Sequence, residues 1–195
     1  MNIKAVCFDI DGTMYPLWMT KVLLVPTFFP SISLVMGIQS FRKSMRQPDT
    51  QETTPPNLEG FRSRQTLYVK HKLQSSLPLD AIEKKIDAQF YKNMESSFSH
   101  IHPYKGLRET LLFLKDRAVK VGALSDFPIH SKLETLSVDD LIDFSACTEE
   151  SGYLKPHKAP FEILSKIPKE CIEELEKGRN VSFTVIDVYN IDLSA

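Results

Sequence analysis

The sequence predicts an α/β fold of three layers, a parallel sheet with helices on both faces and a helical block inserted after the first strand. Three observations predict it. The short apolar run from Ile3 to Phe8 stops at Asp9-Ile10-Asp11-Gly12-Thr13, as a buried strand feeding a turn does. From residue 101 onward, strand-like runs alternate with amphipathic helical stretches. Between the two, residues 15–100 carry helical signals and no strand signal.

Each element has its own justification. Val22 to Ile38 is uncharged and contains Pro26 and Pro30, so it reads as two short helices packed in a core. Its 17 residues fall short of the roughly 20 that span a bilayer, and no membrane contact is expected. Residues 42–60 are polar and rich in proline, a connecting loop. Phe61 to Gln74 reads as helix. Leu79 to Ser97 does so more strongly, with Asp80 as a cap, Glu83 three residues on, and Ile82, Ile86 and Phe90 at helical spacing. Leu107 to Arg117 is an amphipathic helix, Lys120 to Leu124 a strand ending at Ser125-Asp126, and His130 to Leu136 a helix. Phe144 to Cys147 reads as a third strand, Ala159 to Lys166 as a helix, and Val181 to Ile186 as a fourth strand ending at Asp187. The division is therefore a core of residues 1–14 and 101–195 and a helical cap of residues 15–100.

Composition narrows the function classes. With 24 Lys and Arg against 25 Asp and Glu, no basic excess exists to bind nucleic acid. Cys7, Cys147 and Cys171 are an odd number, far apart, which excludes a disulfide scaffold and fits a reducing, cytoplasmic setting. The five histidines form no ligand pattern. Trp18, Phe28 and Phe29 are expected to fill the core of the helical block, and Cys7 to be a core thiol.

Open parallel sheets bind ligands at the carboxyl ends of their strands. Asp9, Asp11, Ser125 and Asp187 stand at three such ends and should converge. A carboxylate can attack phosphorus and form an acyl phosphate if a cation neutralises the incoming anion. Asp9 and Asp187 could share a magnesium ion, and Asp11 could serve as acid and base. Gly12 permits a tight turn against the substrate. Ser125 and Lys155 offer a donor and a fixed charge for phosphate oxygens. The structural alternatives are plain: Asp9 and Asp11 as turn residues, Ser125 as a helix cap, Lys155 as a surface lysine.

Together these residues bring a family into view. Phe8-Asp9-Ile10-Asp11-Gly12-Thr13 resembles the D-x-D-G-T signature of the haloacid dehalogenase-like (HAD) hydrolase superfamily. Val121 to Asp126 resembles its second motif, Ser151 to Pro156 its lysine motif, and Phe183 to Asp192 its acidic motif, all in family order. The resemblance implies a Rossmann-like core with a helical cap, as in the subgroup that includes phosphoglycolate phosphatase and 2-haloacid dehalogenase. It implies Asp9 as nucleophile and metal ligand, Asp11 as acid/base with its carbonyl on Mg2+, Ser125 and Lys155 as phosphate-binding, and Asp187 as the remaining metal ligand. Gly12 and Thr13 complete the first motif, and Asp192 supports the lysine or the metal. Asp11 speaks against the dehalogenase branch, whose leaving halide needs no proton.

The implied activity is a magnesium-dependent phosphatase acting on a small phosphorylated metabolite through an aspartyl phosphate. A phosphotransferase or mutase would use the same residues. Ile186 stands where the family has glycine, and relatives continue with another strand and helices beyond the position of Ala195. Those departures favour a rival reading, a weak or inactive HAD-like protein with an exposed sheet edge.

Overall fold

The computed structural model describes residues 5–46, 57–164 and 185–186. Strand β1 (Ala5–Asp9) lies beside β2 (Lys120–Ser125), and β3 (Phe144–Cys147) beside β2. The two-residue β4 (Val185–Ile186) pairs with the other side of β1, so the order is β3-β2-β1-β4 with all pairs parallel. Of the last strand expected from the sequence, residues 181–184 lie outside the described residues.

The helices are α1 (Leu17–Phe28), α2 (Ile32–Ser44), α3 (Leu58–Lys72), α4 (Leu79–Ile86), α5 (Lys92–Phe98), α6 (Leu107–Lys115), α7 (His130–Thr135) and α8 (Ala159–Leu164). Strand alternation sorts the sheet's side chains onto two apolar faces. Val121 and Ala123 look toward Leu111 of α6 and Leu133 of α7. Cys7, Leu124 and Ala146 face the other way, against Phe161 and Ile163 of α8. Both faces are thus covered, which makes the three layers. Burial pushes the Cys7 thiol up to about 12, with Lys155 opposing and Asp9 reinforcing, and confirms it as a core thiol.

The inserted block has its own core, in which Phe28, Leu34, Ile38, Val69, Ile82, Ile86 and Phe90 pack together. Two expectations need correction here. Asp80 does not cap α4: Pro78 takes that position and Asp80 lies in the first turn. The segment beyond α4 passes through a wide π turn, Asp87–Tyr91, before α5 resumes. Trp18 and Phe29 do not fill the core either; both are largely exposed, and only Phe28 is buried. The reason is the stretch they occupy. Pro26 lies within α1 on its exposed side, and Pro30 opens the 3-10 turn Phe29–Ser31. The 3-10 turn, with Ser31 outside helical geometry, separates α1 from α2, and Leu17, Thr20 and Gln39 wall one cavity, so the chain bends there and leaves Trp18 and Phe29 on the outside.

Buried polar groups tie this block to the sheet. Arg42 of α2, fully buried, donates to the Glu149 carboxylate and to the Asp126 carbonyl. Its guanidinium also lies 3.9 Å over the Phe127 ring. Tyr91 donates to Glu149 at 3.0 Å, and Arg62 of α3 approaches the same carboxylate at 3.2 Å. Burial opposes the charge on Arg42, but Glu149, Tyr91 and Asp126 together outweigh it and raise the guanidinium's pKa.

One strand position tolerates no side chain. A Cβ on Gly122 would fall 1.9 Å from the Phe144 ring on the neighbouring strand. Gly122→Ala is therefore expected to lower unfolding free energy by about 1–3 kcal/mol in urea titrations. Adding Phe144→Leu should recover part of that loss, whereas simple additivity would count against the close approach as its cause.

Candidate active site

The carboxyl ends of β1 and β2 and the loop after β3 meet at one point. Asp9 is the last residue of β1, buried, and registered opposite Leu124 of β2. The next residues turn back sharply. The Thr13 amide donates to the Ile10 carbonyl at 3.2 Å, with Gly12 at φ +93° between them. An L side chain rarely adopts that angle, so glycine is the residue the turn requires. The turn brings Asp11 above the strand end, beside Asp9.

Each aspartate has a lysine. Lys155 Nζ donates to Asp9 Oδ1 at 2.5 Å and approaches the Leu124 carbonyl at 3.4 Å. Lys132 Nζ, from α7, donates to Asp11 Oδ1 at 2.5 Å and to Ser125 Oγ at 3.1 Å. Ser125 Oγ donates to Asp11 Oδ2 at 2.9 Å and accepts from the Phe127 amide at 3.1 Å. Ser125 thus closes the turn after β2 as a cap would and contacts the acid/base candidate as well. Tyr15 donates its phenol proton to Asp11 Oδ1. Burial alone would raise the Asp11 pKa. The Lys132 charge and the hydrogen bonds from Lys132, Tyr15 and Ser125 more than offset it and hold the carboxyl below its ordinary value. Burial and the neighbouring Asp11 carboxylate keep the Tyr15 phenol protonated.

A cavity of about 140 Å³ opens beside this cluster. Asp11, Tyr15 and Lys132 stand at its polar end, and Leu23, Leu24, Phe28, Phe90, Met94 and Phe98 from the helical block form much of its wall. The inserted helices therefore shape the space next to the carboxylates.

The structure brings together Asp9, Asp11, Gly12, Thr13, Ser125 and Lys155, six residues singled out from the sequence. Asp187 and Asp192 lie outside the described residues; Ile186, just before Asp187, is registered opposite Phe8. Lys132 and Tyr15 were not anticipated. A signal for Lys132 did exist. It sits among Ile129, Leu133 and Leu136, a charge inside the apolar face of a short helix. Such a lysine is buried only with a partner. Tyr15 carries no comparable signal, since its hydroxyl finds Asp11 only through the turn.

A family model for haloacid dehalogenase-like hydrolases matches residues 3–167. The chain belongs to the haloacid dehalogenase-like hydrolase family. No curated protein matches the chain significantly. Among solved structures, a 2-haloacid dehalogenase from Pseudomonas syringae superposes with a TM-score of 0.53 at 19% identity, covering 85% of this chain and 73% of that one. The magnesium-bound HAD-hydrolase YfnB from Bacillus subtilis gives 0.53 at 13% identity, covering 87% and 76%. The L-2-haloacid dehalogenase RSc1362 gives 0.51 at 14%, covering 89% and 74%. At these identities the likeness concerns the fold, the Rossmann-like core with its helical insertion.

The Asp11–Lys132 pair has a measurable signature. Because the folded-state pKa of Asp11 lies below the ~3.9 of an unfolded aspartate, its contribution is complete above about pH 4 and is lost as pH falls through the folded value. Lys132→Met leaves a carboxylate unpaired and is expected to cost about 3 kcal/mol of stability at neutral pH. The deficit should shrink in acid, where Asp11 protonates. A deficit independent of pH would assign the loss to packing instead.

Proposed function

We propose that this HAD-like hydrolase is a magnesium-dependent phosphatase that forms an aspartyl phosphate on Asp9. The observation that carries the reading is the second carboxylate. Asp11 is held at the cavity by Ser125, Tyr15 and Lys132, an arrangement suited to moving a proton. An alkoxide leaving from phosphorus needs that proton, whereas a halide does not. The dehalogenases among the structural neighbours share the fold and leave this choice of chemistry open.

Asp9 Oδ attacks phosphorus at the end of β1. Lys155, already within 2.5 Å of Asp9, is placed to receive the phosphoryl oxygens, and Ser125 Oγ offers a further donor. Asp11 rests as a carboxylate beside Lys132, so to act as the acid it takes up a proton from solvent as the substrate binds and then gives it to the leaving oxygen. In the second half Asp11, again a carboxylate beside the Lys132 ammonium, accepts a proton from the attacking water and releases it to solvent. The largely apolar cavity suits a compact phosphate ester with an apolar carbon portion.

The donor chemistry fits a magnesium ion. Among the described residues no three His, Cys, Asp or Glu surround one point. Asp9 and Asp11 nevertheless supply hard carboxylate oxygens, and one or two carboxylates suffice for an ion that keeps waters and shares the substrate's phosphate. Asp9, the Asp11 carbonyl and Asp187 would hold it, and its charge would neutralise the phosphoryl oxygens.

Hydrolysis of p-nitrophenyl phosphate by the purified chain should depend on magnesium and fall roughly 10³-fold or more in Asp9→Asn. Asp11→Asn should slow an alkyl phosphate by about 10²-fold while sparing p-nitrophenyl phosphate, whose leaving group needs little protonation. Equal losses on both substrates would refute the proton path. A folded protein without turnover on either, with or without magnesium, would favour a binding role for the same site.

A further inference from the structure

Phe98, the last residue of α5, belongs to the inserted helices but packs in the apolar core of the sheet, with Ile10, Met14, Tyr15, Ile101 and Leu133. The Ile101 amide donates to its carbonyl at 2.9 Å, and the chain turns back toward the sheet there. The Phe98 ring meets both groups that donate to Asp11 Oδ1. The Tyr15 ring stands edge to face with it, centroids 5.1 Å apart at 85°. Lys132 Nζ lies 5.3 Å from its centroid and 5.3 Å from that of Phe127.

Tyr15 and Lys132 are both buried, and each directs its polar atom at Asp11. An ammonium carries three N–H groups. Those of Lys132 reach Asp11 Oδ1 and Ser125 Oγ, and the rings of Phe98 and Phe127 stand within the distance at which a π system attracts a cation. Filling a core is the ordinary role of a buried phenylalanine. A ring here does more than an aliphatic side chain of similar volume could. Its quadrupole favours the perpendicular Tyr15 ring, and its π density attracts the ammonium without competing for the hydrogen bonds to the carboxylate. A displaced Tyr15 ring would carry its hydroxyl away from Asp11, and a displaced Lys132 would take the second donor from the same oxygen.

We propose that Phe98 is a positioning residue of the site: acting through Tyr15 and Lys132, it holds the Asp11 carboxylate in the orientation from which it serves the leaving oxygen. A side chain of the inserted helices thereby completes the acid/base assembly at the end of the sheet. The effect on rate rests on the phosphatase reading; the hold on Asp11 does not.

The test compares turnover of n-butyl phosphate and p-nitrophenyl phosphate, with magnesium, by the full chain and by Phe98→Leu. Both esters meet the same altered cavity wall, but only the alkyl leaving group needs the proton. The ratio of alkyl to p-nitrophenyl kcat should fall about 10-fold, less than in Asp11→Asn because Ser125 still holds the carboxylate. In the Asp11→Asn background, Phe98→Leu should leave that ratio where Asp11→Asn has put it. Equal losses on the two esters, or the same further fall in the ratio without Asp11, would make Phe98 a cavity wall and overturn the proposal. Phe98→Met, an unbranched filler, replaces Phe98→Leu if that variant does not fold. A double-mutant cycle in urea unfolding needs no turnover: the coupling between Tyr15→Phe and Asp11→Asn should drop by half or more in the Phe98→Leu background. A wild type that hydrolyses neither ester would end the phosphatase reading alone, and the cycle then decides. A coupling unchanged by Phe98→Leu would overturn the hold on Asp11.

Discussion

Two carboxylates two residues apart at the end of a buried strand repel each other and resist desolvation. The site depends on how that cost is met. Asp9 is paired with Lys155 from the loop after β3, and Asp11 with Lys132 from α7. Both lysines come from far along the chain and from different elements. The pairing therefore requires β1, β2 and β3 to stand in their observed order with the loops at one end. The electrostatic requirement of the site and the topology of the sheet are the same constraint seen at two scales.

The second join is between the sheet and the inserted helices. Arg42 reaches from α2 into the loops that follow β2 and β3, ending on Asp126 and Glu149. These loops lead directly from Ser125 and toward Lys155. A buried, charged contact there fixes the wall of the cavity relative to the residues of the chemistry. It does so at the expense of desolvating a guanidinium, and the Glu149 carboxylate, the Asp126 carbonyl and the Phe127 ring make that tolerable through ion pairing, hydrogen bonding and stacking.

The pair of helices α1 and α2 serves the two environments differently. Its inward residues pack the cap and line the cavity, while several of its outward residues are apolar too. An ordinary surface helix would alternate apolar and polar faces. Here exposed Trp18, Val22, Val25, Ile32 and Met36, with Phe29 in the turn between, stand among the exposed polar residues Lys21, Ser33, Gln39 and Lys43.

Much of this was legible in the sequence because it rests on local chemistry. The β1 run with its Asp-x-Asp-Gly turn, the alternation of strand and helix after residue 101, and the convergence of Asp9, Asp11 and Ser125 follow from periodicity, turn propensity and the polar ends of parallel strands, while Lys155 was marked by its resemblance to the family's lysine motif and Asp187 lies outside the described residues. What the sequence left undecided was which residues neutralise which, and which way an apolar face points. Lys132 looked like one more helical lysine, and its burial against Asp11 arises only when α7 packs beside β2. Asp80 looked like a cap, yet Pro78 takes the position. Trp18 and Phe29 looked like core, because hydrophobicity specifies that a residue prefers burial but not which partner provides it. Local pattern determined the elements and the motif residues; the ion pairs, the cavity and the burial of each apolar side chain were decided by packing, since each is a relation between segments far apart in the chain.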